Sequence, residues 1–259
     1  MSKTTLETLF SLGGRNALIT GGYKGIGRLF AETYAGAGAN VAIVARNLEG
    51  CLGVAREIEG RHGVKAIGMA MDVTNSREVD TVVEAVVREL GKIDILVNSA
   101  GIAGSQKPVV EMTDQELDEV MNVDFRGTFV VSRAVARQMM RSQSGRIIHI
   151  ASLLGKVAAR YMAGYCSSKA AVIAFTKVLA LELMRYNVQV NVLCPGYFVT
   201  EFNREFLASE TGAGMIRKMV PLNRPGDLAE LRSTALYLAT CPPYLTGSEI
   251  YIDGGHTLQ

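Results

Sequence analysis

A doubly wound α/β fold, with one mostly parallel sheet and helices on both faces, is what this sequence predicts. Three observations carry that expectation. Short, continuously apolar runs alternate with longer segments of helical periodicity along the chain. Such runs belong to strands that crossover helices bury on both faces. The first apolar run leads directly into a glycine-rich turn and then a helical segment, the arrangement that opens a mononucleotide-binding half. No linker, repeat or low-complexity stretch interrupts the 259 residues, so a single domain over 1–259 is expected, with about seven strands.

The elements follow in order. Residues 15–20 read as the first buried strand, 21–27 as the glycine turn and 28–35 as a helix. Residues 40–45 form a second apolar strand, 47–62 a helix with apolar Leu48, Leu52, Ala55 and Ile58, and 64–71 a third strand. Thr74, Asn75 and Ser76 offer caps for a helix that runs to Leu90. Residues 92–98 are the fourth strand, and Thr113 with Glu116 makes a capping box for the next helix. A helix over 127–140 leads to the fifth strand, 145–150. The helix that carries Tyr165 runs to about Tyr186, and 188–193 is the sixth strand. Residues 227–239 read as a helix and 248–252 as the last strand. The stretch 200–220 is too long for a bare connection and is expected to be a lid.

Composition narrows the function classes. The chain is 48% hydrophobic and 20% charged with a formal net charge of +2, which gives no general attraction to nucleic acid or anionic membrane. No apolar run is long enough to span a bilayer, and residues 1–7 do not read as a secretion signal. The four cysteines are scattered without a Cys-x-x-Cys pair, and the three histidines lie far apart. A cytoplasmic, metal-free protein is expected.

Ligands of such sheets bind beyond the carboxyl ends of the strands. After the first strand come Gly21, Tyr23, Lys24, Gly25, Ile26 and Gly27. Glycines there permit a tight turn and close approach to a pyrophosphate, and the next helix offers free amides. After the second strand stands Arg46 where an acid would hold a ribose 2′-hydroxyl; an Arg suits a 2′-phosphate, with Lys24 as a second cation. Asp72 and Val73 follow the third strand, and the Asp72 carboxylate is placed to accept from an adenine amino group. Asn98, Ala100 and Gly101 follow the fourth, Ser152 the fifth, and Pro195, Gly196 and Thr200 the sixth. Tyr165 and Lys169 are four apart on a helix and share a face. An ammonium beside a phenol favours the phenolate, which suits the phenol to exchanging a proton with an alcohol oxygen.

Taken together, these marks resemble the short-chain dehydrogenase/reductase family over essentially the full length. They are Thr20-Gly21, Gly25-Ile26-Gly27, Asp72, the run 98–101, Asn122, Ser152, Tyr165 with Lys169, Pro195-Gly196, Thr200 and the run 246–255. Tyr23 and Ser99 depart from the family's usual small residue and second Asn. The resemblance implies a Rossmann fold and reversible hydride transfer between a nicotinamide, NADP(H) in preference to NAD(H), and a ketone or secondary alcohol. By position, Tyr165 would be the general acid/base and Lys169 would tune it and hold the ribose. Ser152 would polarise the carbonyl, and Asn122 would hold a relay water. The substrate pocket would include Leu153, Leu154, Val157, Ala158, Ala159, Met162, Tyr197 and Phe198. The opening residues look most like the gluconate 5-dehydrogenase and tropinone reductase branches. Gln143 and Tyr186 stand where 3-oxoacyl-carrier-protein reductases tend to carry Arg, which counts against that substrate. Alternatives are such a carrier-protein reductase, or a dinucleotide-binding regulator without turnover. A homodimer or homotetramer is expected, because the helix 168–184 is apolar nearly all round.

Overall fold

The apolar runs become seven strands, β1 (Asn16–Thr20), β2 (Asn40–Ala45), β3 (Ala66–Ala70), β4 (Ile95–Asn98), β5 (Gly145–Ile150), β6 (Val188–Pro195) and β7 (Glu249–Ile252). The computed structural model describes residues 6–201 and 203–258; Phe202 of the expected lid and residues 1–5 lie outside the described residues. All ladders are parallel, in the order β3-β2-β1-β4-β5-β6-β7. The direction of winding therefore reverses between β1 and β4. There Thr20 pairs in register with Asn98, which brings two of the expected binding turns to one edge.

The helices are α1 (Leu6–Phe10), α2 (Gly25–Gly36), α3 (Leu48–His62), α4 (Ser76–Leu90), α5 (Asp114–Val120), α6 (Gly127–Ser142), α7 (Ala163–Leu183), α8 (Arg204–Ala208), α9 (Glu210–Met219) and α10 (Arg232–Thr240). One apolar layer joins α2, α3 and α10 to the sheet through Phe30, Tyr34, Val54, Ile58 and Leu238. The other joins α4, α6 and α7 through Val79, Val83, Val131, Val135 and Leu179. These two layers bury both sheet faces, which is why β1, β4 and β6 are buried along their whole lengths.

Side-chain caps set several helix starts. Asn47 accepts from Gly50 N, and Asn75 accepts from Arg77 N and Glu78 N. The Thr113–Glu116 capping box forms as expected. Several boundaries differ from the sequence expectation. β4 starts at Ile95 rather than at 92, because Asp94 turns its carboxylate to Lys92 and Arg15. α2 starts three residues early at Gly25, whose φ of +54° turns the extended chain at Lys24 into the helix. The 200–220 stretch is not irregular. It folds into α8 and α9, whose Leu207, Ile216 and Val220 pack with Tyr197 and Val199. The segment 227–239 begins as a 3₁₀ turn, Leu228–Leu231, capped by Asp227, before α10. The short helix α1 has no counterpart in the sequence reading.

Candidate active site

The turn after β1 is shaped by what its glycines leave out. A Cβ on Gly27 would stand 2.5 Å from the Gly21 carbonyl oxygen, and Gly21 itself has a φ of +65°. The turn can therefore fold this tightly only with glycine at both positions. Ile26 packs against the core below, and the ring of Tyr23 lies against Gly50 of α3. Lys24, exposed at the helix start, sets its ammonium 5.3 Å from the centre of that ring. Lys24 makes no side-chain cap, so first-turn amides of the 12-residue α2 face the sheet's carboxyl edge without a side-chain partner at the cap. That is a cradle into which an anionic group fits.

Neighbouring strand ends close around this turn. Thr20 Oγ1 accepts from Ser99 N at 3.0 Å and Ala100 N at 3.1 Å, which ties the loop after β4 to β1. Arg46 is exposed directly after β2. Asp72 is engaged locally through one oxygen: its Oδ1 accepts from Thr74 N at 2.9 Å and Thr74 Oγ1 at 2.8 Å. Val73 is buried under α6 against Gly127.

The Asn98 side chain braces the layer beneath the site. It points into the sheet layer and donates to Ser132 Oγ at 2.9 Å. Ser132 bonds His149 Nε2 at 2.9 Å, and His149 Nδ1 bonds Thr176 Oγ1 at 2.8 Å. Burial pushes the His149 imidazole down to about 3, so this chain is a neutral brace behind the site. Thr200 is likewise engaged: its hydroxyl and its amide both donate to Asn203 Oδ1. Pro195 ends β6, and Gly196 N donates to Ile252 O of β7 at 2.8 Å.

Ser152 is buried just beyond β5, where its Oγ accepts from Leu154 N at 3.1 Å. Tyr165 is half-buried in the first turns of α7, one turn before buried Lys169, whose Nζ stands 5.3 Å from the phenol ring centre. Lys169 Nζ also donates to Ile150 O at 3.4 Å. Burial alone would lower the pKa of this ammonium, but the Asp124 carboxylate and the Tyr165 phenol outweigh it and raise the pKa.

Asn122, expected to hold a relay water, and its neighbour Asp124 differ in burial. Asn122 is exposed. Residues Met121–Arg126 form a turn of π-helix between α5 and α6, and this wider turn points Asp124, two residues on, inward. Asp124 is fully buried, with Oδ2 3.0 Å from Lys169 Nζ and Oδ1 accepting from Ile102 N at 2.8 Å. Such π-bulges recur at functional sites. Asp124 was legible only as a neighbour of Asn122; the local widening that selects between them leaves no sequence signal.

The expected pocket also divides. Leu153, Leu154 and Phe198 are buried in packing, Phe198 in the layer under α10. Val157, Ala158, Ala159, Met162 and Tyr197 retain exposure above the sheet edge. The ring of Tyr197 stacks on His256, with centroids 5.8 Å apart.

A family model described as short chain dehydrogenase matches residues 15–211. The chain belongs to this family. It is 35% identical over 254 residues to the 5-keto-D-gluconate 5-reductase of Escherichia coli strain K12, covering 96% of this chain and 98% of that protein. It is 36% identical to a 3-oxoacyl-[acyl-carrier-protein] reductase of Aquifex aeolicus, covering 94% and 98%. Among solved structures, a gluconate 5-dehydrogenase from Burkholderia cenocepacia in complex with NADP and tartrate superposes with a TM-score of 0.93 at 35% identity, covering 98% of this chain and 100% of that one. As a short-chain dehydrogenase/reductase, the protein is an oxidoreductase of the alcohol–carbonyl class. Among the described residues no helix is long and apolar enough to cross a membrane.

Proposed function

We propose that the protein transfers a hydride between NADP(H) and a ketone or secondary alcohol, with Tyr165 as the general acid/base. The observation that supports this most directly is that Lys169, 5.3 Å from the centre of the Tyr165 ring, reaches Ile150 O at the end of β5, two residues before Ser152, on the sheet edge that also carries the Gly21–Gly27 cradle. The whole chain, 1–259, would act as one cofactor-binding and catalytic unit. Tyr23, Lys24, the α2 amides, Arg46, Val73, the backbone of 98–101 and the 195–200 turn would hold the dinucleotide. Arg46 and Lys24, both exposed cations at the cradle, favour a 2′-phosphate.

When bound, a reduced nicotinamide supplies the hydride that forms the new C–H bond at the carbonyl carbon. The protein's residues manage the charge that this creates on oxygen. Ser152 and Tyr165 donate to that oxygen where the negative charge develops. Tyr165 transfers its proton to it, giving the alcohol, and the phenolate regains a proton from solvent. Lys169, held at Ile150 O and Asp124, keeps the phenol oriented.

α8 and α9 would close over the substrate as a lid. Phe129 of α6, Val178 and Leu181 of α7, and Met184 just beyond α7 are exposed on a single chain, which favours self-association into a homodimer or homotetramer. The matched keto-gluconate enzyme favours a polyhydroxylated sugar acid, and the equally similar carrier-protein reductase favours an acyl thioester. NADPH consumption measured across keto-sugar acids, polyol ketones, steroids and 3-oxoacyl thioesters tests both. Turnover on a free ketone is expected. No turnover on any carbonyl, with NADPH still binding, would instead leave a non-catalytic dinucleotide binder.

A further inference from the structure

Lys169 is not a bare positive charge beside Tyr165. The Asp124 carboxylate stands 3.0 Å from its Nζ, with side-chain exposures of 0% for Asp124 and 7% for Lys169. Asp124 is a built position rather than a passing contact. Oδ1 accepts from Ile102 N at 2.8 Å, and Ser168 Oγ lies 3.4 Å from Oδ2. The backbone turn at Asp124 is fixed by Thr128 Oγ1, which donates to its carbonyl at 2.7 Å. Gly101 makes the room: a Cβ there would stand 3.2 Å from Lys169 Nζ and 3.3 Å from Asp124 Oδ1.

Among the described residues, the titratable groups that act on Lys169 besides Asp124 are Tyr165 and Cys194. Cys194 of β6 lies near enough to act electrostatically on Lys169, and burial pushes its thiol up to about 12. β5 offers the Ile150 carbonyl, which is neutral. Tyr165 faces Lys169 from the same helix. Tyr165 and Cys166 also face Tyr197, where burial raises the phenol's pKa, and beyond Tyr197 stacks His256. Two opposite charges at ion-pair distance act on a third group as a dipole, whose field falls off faster than that of a lone charge. A neutral amide at position 124 would leave a full positive charge facing Tyr165.

We propose that Asp124 is a positioning residue that holds Lys169 as a buried neutral pair, so that Tyr165 keeps its proton to higher pH and stays in the form that donates to a carbonyl. This rests on the reading of Tyr165 as the acid. It goes beyond that reading by assigning to Asp124 the control of when the acid is available.

The test is an ultraviolet titration of tyrosinate on the folded full-length protein without cofactor. Subtracting the same titration of the Tyr165→Phe counterpart isolates Tyr165 among the nine tyrosines. In Asp124→Asn the Tyr165 midpoint is expected to fall by about one pH unit or more, the effect of uncovering a neighbouring charge. The high-pH limb of ketone reduction should move down with it. Lys169→Met should raise the midpoint, and Asp124→Asn combined with Lys169→Met should bring it back down towards wild type, because no buried charge is left. The double variant also covers the case in which Asp124→Asn, with an unpaired buried ammonium, does not fold. An unchanged midpoint in Asp124→Asn, or a double variant that titrates with Lys169→Met alone, overturns the proposal. The titration needs no substrate, so its outcome is separate from that of the carbonyl panel. A shift without turnover would sink the catalytic reading alone, and turnover without a shift would sink the role of Asp124 alone.

Discussion

Tyr165 carries the chemistry in the proposed reading, and its replacement is the sharpest residue-scale prediction. Tyr165→Phe removes the transferable proton while keeping the ring, so turnover should drop by about 10²- to 10⁴-fold. NADPH affinity, followed by fluorescence, should stay within a few-fold. Loss of both together would make Tyr165 a binding residue instead. Arg46, exposed beyond β2, is the second. Arg46→Asp should move the ratio of kcat/KM from NADPH towards NADH by about tenfold or more, and a wild-type enzyme that already prefers NADH would refute the 2′-phosphate assignment. Residue type and order made Ser152, Tyr165, Lys169 and the glycines legible, because each sits at a strand end or at helical spacing. Direction was not legible. Asn98, Asp72 and Thr200 each turn side-chain atoms towards Ser132, Thr74 and Asn203, and Asn122 turns outward while Asp124 turns in.

At the scale of elements, the helix starts carry both stability and site geometry. Asn75 Oδ1 accepts from Arg77 N and Glu78 N at the head of α4. Asn75→Ala should cost about 1 kcal/mol, read as a lower urea midpoint with an unchanged slope. α2 makes the contrasting case. Its start has no side-chain cap, and in the proposed reading the same absence leaves amides open for an anion. The π-turn at Met121–Arg126 belongs to this scale too. It widens one turn between α5 and α6, and that widening, not the residue order, delivers Asp124 to Lys169.

Across the whole molecule, acid and association are the two levers. His149 is fully buried with Ser132 and Thr176 on its two nitrogens, and burial lowers its pKa from the ordinary 6.5 to about 3. The native state keeps it neutral while the unfolded chain takes up a proton below about 6.5, so stability falls as pH drops through that window towards 3. The urea midpoint should decline already between pH 6.5 and 5, above the range in which unfolded carboxylates titrate. His149→Gln should flatten that part of the profile, and an unchanged slope would place the acid sensitivity elsewhere. The exposed face at Val178 and Leu181, 52% and 69% accessible, predicts that gel filtration finds a dimer or larger. Leu181→Glu should reduce that size, and a monomeric wild type would remove the proposed assembly.

The sequence by itself determined the parallel sheet, the order in which strands and helices alternate, the cradle and the Tyr165–Lys169 pair. These follow from periodicity and spacing, which are local properties of the chain. Tertiary structure alone decided that residues 200–220 fold into α8 and α9, and that the ammonium beside Tyr165 is paired. The last of these depends on a contact between residues 45 positions apart, closed by a π-turn and by the missing side chain of Gly101. An ion pair across that separation has no local signature, because its existence rests on packing that brings two elements together and excludes water between them.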